Sequence, residues 1–169
     1  MPETVAELFL AFSHQRLTLF LSRIEDCLSR LSEDQVWARG GDNENSVGNL
    51  VLHLCGNVRQ WIISGVGGEQ DVRERDAEFT AAGGVTVAEL KRRLQGTVEQ
   101  AIQIIRTLPV SRLTERTTVQ KQDKAVLEAI YAVVEHFAQH TGQIVFATKM
   151  LTGQDLEYHK HLGTHRPTR

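Results

Sequence analysis

Residues 123–152 read DKAVLEAIYAVVEHFAQHTGQIVFATKMLT, and the placement of their apolar side chains decides the fold. Val126, Ile130, Val133, Phe137, Ile144, Val145 and Leu151 fall on two adjacent stripes of a helix. The pattern predicts one helix over 123–152, buried on most sides and stopped by Gly153, a residue suited to the left-handed turn that ends many helices. His136 and His140 lie in the middle of it. Four residues apart, they are offset by about 40° around the helix and one turn along it, so both imidazoles can reach one point. Their stripe, Val133, His136, His140, Gln143 and Ala147, has apolar neighbours and points both rings inward, where polar groups need partners.

Three further helices are predicted outward from this one. Over 4–31, Leu10, Leu17, Leu21, Ile24, Leu28 and Leu31 repeat at three and four residues, widened by Phe9, Phe12 and Phe20. Asn45 or Ser46 caps a helix over 47–63 with Leu50, Leu54, Val58 and Trp61 as its core line, and Gly65, Gly67 and Gly68 stop it. Trp37, in the preceding loop, is expected to pack down on the helices. Thr86 with Glu89 reads as a capping box that opens a helix finishing at Pro109, with Leu90, Leu94, Val98, Ile102, Ile105 and Leu108 on its buried face. Its run Lys91, Arg92, Arg93 reads as a solvated face.

The expected fold class is therefore all-α, an antiparallel four-helix bundle with a long crossover between helices 2 and 3. That crossover, running to Gly84, carries Arg73-Glu74-Arg75-Asp76 before Phe79 and is long enough to cross the end of the bundle or lie over an opening. One domain over 1–153 is followed by a polar, peripheral tail over 154–169.

Composition agrees with this reading. Among 169 residues, 41% are hydrophobic and only 13 are Gly and 3 Pro, which suits long helices around one core. Lys and Arg number 19 against 21 Asp and Glu, a formal charge of -2, so no global field attracts nucleic acid or an anionic membrane. Acidic residues near the start, where a secretory signal carries Lys or Arg, and the lack of a long apolar run lead to the expectation of a cytoplasmic protein. Cys27 and Cys55 are far apart and outside any CxxC pattern, so both read as buried small apolar side chains.

His53 changes the weight of the histidine pair. Either His136 or His140 alone reads as a hydrogen-bonded core residue, but His53 sits between Leu50 and Leu54 on a helix that can lie beside the pair. Three neutral imidazoles capping one side of a divalent ion leave a coordination position open, the pattern of reactive metal sites. Imidazole suits zinc, nickel, copper and iron; with no obvious carboxylate on the same stripe, nickel or zinc is preferred, and the sequence does not choose between them. Asn49, Asn57 and Gln143 stand one turn from a histidine and are candidates either to orient the rings or for ordinary hydrogen bonds between helices. No general base lies at a predictable distance from the triad. His159, His161 and His165 in the tail are expected to bind metal only adventitiously, because ordering a flexible peptide costs entropy.

Three stretches together resemble the DinB-like superfamily, within it a bacterial branch of uncharacterised damage-inducible proteins. They are Asn45-Ser46-Val47-Gly48-Asn49-Leu50 leading to His53-Leu54-Cys55-Gly56-Asn57 and Arg59-Gln60-Trp61; Arg75-Asp76 before Glu78-Phe79; and Glu135-His136 with His140-Thr141-Gly142-Gln143-Ile144. The resemblance covers most of the chain. It implies a four-helix bundle, often a homodimer, in which one His of the second helix and an HxxxH pair of the fourth bind nickel or zinc. Here those positions are His53, His136 and His140, and none is replaced. Characterised relatives include thiol-dependent S-transferases and a mycothiol-dependent isomerase, so the expected function is a metal-dependent transfer of a small thiol to a small electrophile. The alternative is a non-catalytic, stress-associated metal-binding or oligomeric protein. In the first reading Arg59, Arg73 or Arg75 is suited to hold a carboxylate of thiol or substrate, with Arg16 and Arg23 as weaker candidates.

Overall fold

The computed structural model describes residues 4–158 together with Lys160 and Gly163, and the chain is mostly helical. α1 is Val5–Arg30, opened by a capping box in which the Thr4 hydroxyl accepts from Glu7 N–H and the Glu7 carboxylate accepts from Thr4 N–H. A short α2, Glu33–Trp37, follows, and then α3, Val47–Val58, continues as a π-helical stretch over Arg59–Ser64. α4, Arg75–Thr80, lies in the crossover, α5 is Val87–Thr107, and α6 is Val126–Thr152. Gly153 ends α6 with φ of 67°, the left-handed conformation that glycine adopts without strain.

Contacts between side chains give the directions. α1 and α5 run antiparallel: Lys91 donates to Ser29 Oγ at 2.6 Å, while the Arg106 charge acts on His14. α3 and α6 also run antiparallel, with His53 beside His136 and Trp61 lining the same cavity as Ala132. α1 and α6, however, run parallel, since Phe20 stacks on Phe137 at 6.3 Å and Arg30 reaches Gln154 at 3.2 Å. α3 and α5 are parallel too: Trp37, whose ring lies against Gly48, donates to Val85 O at 3.1 Å, and Gly67 adjoins Ile104. The antiparallel expectation thus applies to two of these pairs, and the parallel α3 and α5 are what require the long crossover. Leu17, Ile24, Leu54, Leu94, Ile105 and Phe137 are fully buried between the helices.

Two expectations need correction. First, the chain is not purely α: β1, Arg116–Val119, and β2, Gln122–Ala125, pair antiparallel with Arg116 opposite Ala125 and Val119 opposite Gln122. Gln120 and Lys121 take φ of 51° and 62°, the doubly left-handed turn whose twist suits a two-residue hairpin. Asp123 therefore belongs to a strand, ion-paired to Arg116 at 2.7 Å, and α6 starts at Val126. The hairpin seals the end of α3, since Thr117 donates to Gly65 O at 2.6 Å and Val119 is buried. A Cβ on Gly65 would stand 2.5 Å from Val119 Cγ2.

Second, the tail is not peripheral from its start. Leu156 is buried, and the Tyr158 hydroxyl lies 2.9 Å from Asp26 Oδ2 and 3.5 Å from Cys27 Sγ. His159, His161 and His165 lie outside the described residues. The basic run on α5 is a solvated face, as expected: Glu89 pairs with both Arg92 and Arg93 and so completes only half of its capping box with Thr86. Among the described residues no helix is long and apolar enough to cross a membrane.

Candidate metal centre

α3 and α6 bring the three sequence-predicted histidines together, one ligand atom from each lying within 4.8 Å of the others. His53 is buried, and its Nε2 stands 2.9 Å from His136 Nε2. Ring centroids are 5.0 Å apart for His53 and His136, 5.1 Å for His53 and His140, and 4.4 Å for His136 and His140. The rings meet edge to face, at 74°, 85° and 88°. Three imidazoles thus enclose one point from different directions.

The outer nitrogens of two rings are engaged, which fixes what the inner ones offer. His53 Nδ1 lies 2.9 Å from Glu78 Oε2 and 3.1 Å from Arg73 Nη2; donation to the carboxylate puts the proton on Nδ1 and turns the Nε2 lone pair toward His136. His140 Nδ1 lies 2.6 Å from Gln143 Oε1, which holds that ring in the same tautomer. Burial pushes the pKa of His136 down to about 4, helped by His140, His53 and Arg73. Burial also lowers that of His140, against the opposing effect of its bond to Gln143. Both rings are therefore neutral near pH 7, the form that donates a lone pair to a metal.

The donor set fits a divalent ion. Two bonds of about 2.05 Å from one ion, meeting at angles between square and tetrahedral, separate their nitrogens by about 2.9 to 3.3 Å. The 2.9 Å between His53 and His136 lies at the edge of that range, and the wider separations in the set, up to 4.8 Å, would close around a bound ion. The carboxylate behind His53 is the common outer partner of a metal-bound histidine.

Glu78 is the functional residue that reading the sequence missed. It comes from α4 in the crossover, is 7% exposed, and receives Arg73 at both oxygens, Nε to Oε1 at 2.7 Å and Nη2 to Oε2 at 2.8 Å. Burial alone would raise its pKa, but Arg73 and His53 hold it below the usual carboxylate range, so it is ionised. A local sign existed in Gly56, one turn after His53 and inside a helix where glycine costs about 1 kcal/mol relative to alanine. A Cβ there would meet Glu78 Cδ at 2.7 Å and Arg73 Nε at 2.9 Å. The missing side chain is the space that Glu78 occupies.

The other candidates divide. Arg73 is not available to a substrate: its side chain is 2% exposed, and Nη1 donates to Gln60 Oε1 at 2.9 Å while the other nitrogens hold Glu78. Arg59 faces Glu69 at 3.5 Å. Arg75 makes no ion pair among the described residues and lies 4.9 Å over the Phe79 ring, which in turn packs on His53 at 4.8 Å. Arg16 lies over Phe12 and Phe20, and Arg23 over Tyr158, so each is engaged on an aromatic ring.

Asn49 makes no hydrogen bond to His53; its amide donates to Glu78 O at 2.9 Å and Ala81 O at 2.7 Å, ordering the segment that carries the carboxylate. Asn57 Oδ1 is buried without a hydrogen-bond partner among the described residues. It lines a cavity of about 280 Å³ that His53, His136, Trp61 and Arg75 also border. Cys55 is half-buried on the helix face near Thr97, and burial pushes its thiol up to about 12, so it is no nucleophile.

The family described as Protein of unknown function (DUF1572) has a model that matches residues 4–161. This chain belongs to the DUF1572 family. The match spans every element that builds the triad, from α1 through α6, and the α4 crossover with Glu78. No curated protein matches the chain.

Proposed function

We propose that this chain is a DinB-like four-helix bundle that binds one divalent ion, nickel or zinc, through His53, His136 and His140, and transfers a small thiol to an electrophile in stress or detoxification. The observation that carries the reading is the convergence of three imidazoles, two with their outer nitrogens held, beside a cavity bordered by the His53 and His136 rings. Cytoplasmic location and a homodimer go with the proposal, and light scattering tests the latter.

When bound, a divalent ion supplies the positive charge that favours the thiolate over the thiol. The chain's own groups do the rest. Glu78 and Gln143 keep the His53 and His140 lone pairs turned inward, while Trp61 and Val133 give the cavity apolar walls that limit water. Sulfur forms the new bond to carbon as a halide departs with its electron pair and the thiol's proton passes to water, or as an epoxide C–O bond opens and its oxygen takes that proton. None of this needs a protein general base.

A non-catalytic, metal-stabilised binding protein is the second reading, favoured by one observation: the Arg73, Glu78 and His53 chain is fully satisfied, as a structural ion requires. Thiol conjugation by the metal-loaded protein, with several cellular thiols against epoxides and activated halides, separates the two. Metal-dependent turnover supports the transferase, and no turnover with any pair supports the binding protein.

A further inference from the structure

The cavity beside the triad has an unbalanced chemistry. Among the described residues lining it none is acidic, and of its two arginines Arg73 is neutralised by Glu78. Arg75 has no carboxylate partner or hydrogen bond among the described residues, its guanidinium set over the Phe79 ring. Asn57 presents the opposite need, a buried carbonyl oxygen with nothing to accept from. A buried acceptor left unpaired is costly, so such atoms mark places that a ligand or water completes. At about 280 Å³ the cavity is below the usual range for drug-sized ligands and suits a molecule of amino-acid size.

From this juxtaposition we infer that the cavity takes a small ligand with a carboxylate held by Arg75 and an ammonium or amide N–H donated to Asn57 Oδ1, its third substituent reaching the histidines. The inference rests on the thiol-binding reading of the triad and names the thiol's class: an α-amino-acid thiol of the cysteine type. A planar guanidinium holds a carboxylate through two parallel bonds, and Asn57 selects for a donor where a bare mercapto acid has none.

Spectroscopy of the cobalt-loaded full-length protein tests this without turnover. L-cysteine, 3-mercaptopropionate, which lacks the amine, and cysteamine, which lacks the carboxylate, are titrated while the cobalt absorption and the thiolate charge-transfer band are followed. L-cysteine is expected to bind about ten- to a hundredfold tighter than either analogue. Arg75→Gln should erase its advantage over cysteamine and leave cysteamine itself unchanged. Asn57→Leu should erase its advantage over 3-mercaptopropionate, and Asn57→Asp, which keeps the shape and adds charge, should widen it.

Equal affinity of the three thiols, or an advantage over cysteamine that survives Arg75→Gln, overturns the ligand class while leaving the metal site standing. Cobalt bound but unperturbed by any thiol overturns the thiol reading and this inference with it. No cobalt bound at all overturns the site.

Discussion

Replacing Gly56 by Ala tests the link between the crossover and the triad, because one added carbon would have to share space with Glu78. The new Cβ would lie 2.7 Å from Glu78 Cδ and 2.9 Å from Arg73 Nε, whereas non-bonded carbons sit at about 3.5 to 4.0 Å. Glu78 must therefore retreat by about 1 Å. Its bond to His53, 2.9 Å long, then lengthens to about 3.9 Å, beyond hydrogen-bonding distance. Losing a buried hydrogen bond to a charged group costs about 1.5 to 3 kcal/mol, and Ala in place of a helical Gly returns about 1, leaving a net loss of about 0.5 to 2 kcal/mol.

His53 also loses the partner that fixes its tautomer, which should weaken metal binding about 10- to 100-fold. Urea unfolding of the metal-free protein and chelator competition on the loaded protein measure the two effects separately. Gly96→Ala on α5, where an added Cβ meets nothing within 4 Å, is the control and should gain up to about 1 kcal/mol with metal affinity unchanged. If Gly56→Ala matches that control in both measurements, Glu78 does not position His53.

Arg73→Ala should cost about 3 to 5 kcal/mol in urea unfolding, since it leaves the Glu78 carboxylate, 8% exposed, without either arginine bond. Arg73→Lys should recover only part of that, because an ammonium cannot reproduce the guanidinium fork. In the metal-free protein, stability should fall as pH drops from about 6.5 toward 4. Across that window the folded His136, with its pKa near 4, holds fewer protons than the unfolded chain, whose histidine titrates at its ordinary 6.5. The full shift amounts to about 3 kcal/mol, discounted to about 1 to 2 because the ring is only half-buried. His136→Asn should flatten this part of the stability profile. Replacing His159, His161 and His165 together by Asn should leave the metal stoichiometry unchanged.

The parts of the fold legible in the sequence were those with local causes. Thr4 and Glu7 set the start of α1, Ser46 that of α3, and Gly153 the end of α6, each through groups within four residues. His53, His136 and His140 were legible because polar rings on apolar stripes demand a shared partner. The hairpin was not, because its turn uses Gln120 and Lys121 at positive φ, where neither Gly nor Asn stands to announce it. Nor were the parallel pairs of helices, since periodicity fixes which face is buried but not which way a neighbour runs. Glu78 acts across 25 residues of chain through a bond that spacing cannot reveal. Missing it left Arg73 as one of three arginines suited to hold a carboxylate of thiol or substrate, when it serves that of Glu78. Tyr158 was hidden in the same way, packing back on α1 from a segment of polar composition.

Metal content of the purified chain after dialysis against nickel or zinc, determined beside His53→Ala, His136→Ala and His140→Ala with their helicity checked by circular dichroism, tests the central claim most directly. One ion per chain in the unaltered protein and none in any of the three helical variants is the expected result. A full complement of metal retained by a folded variant lacking any one of these imidazoles would contradict it.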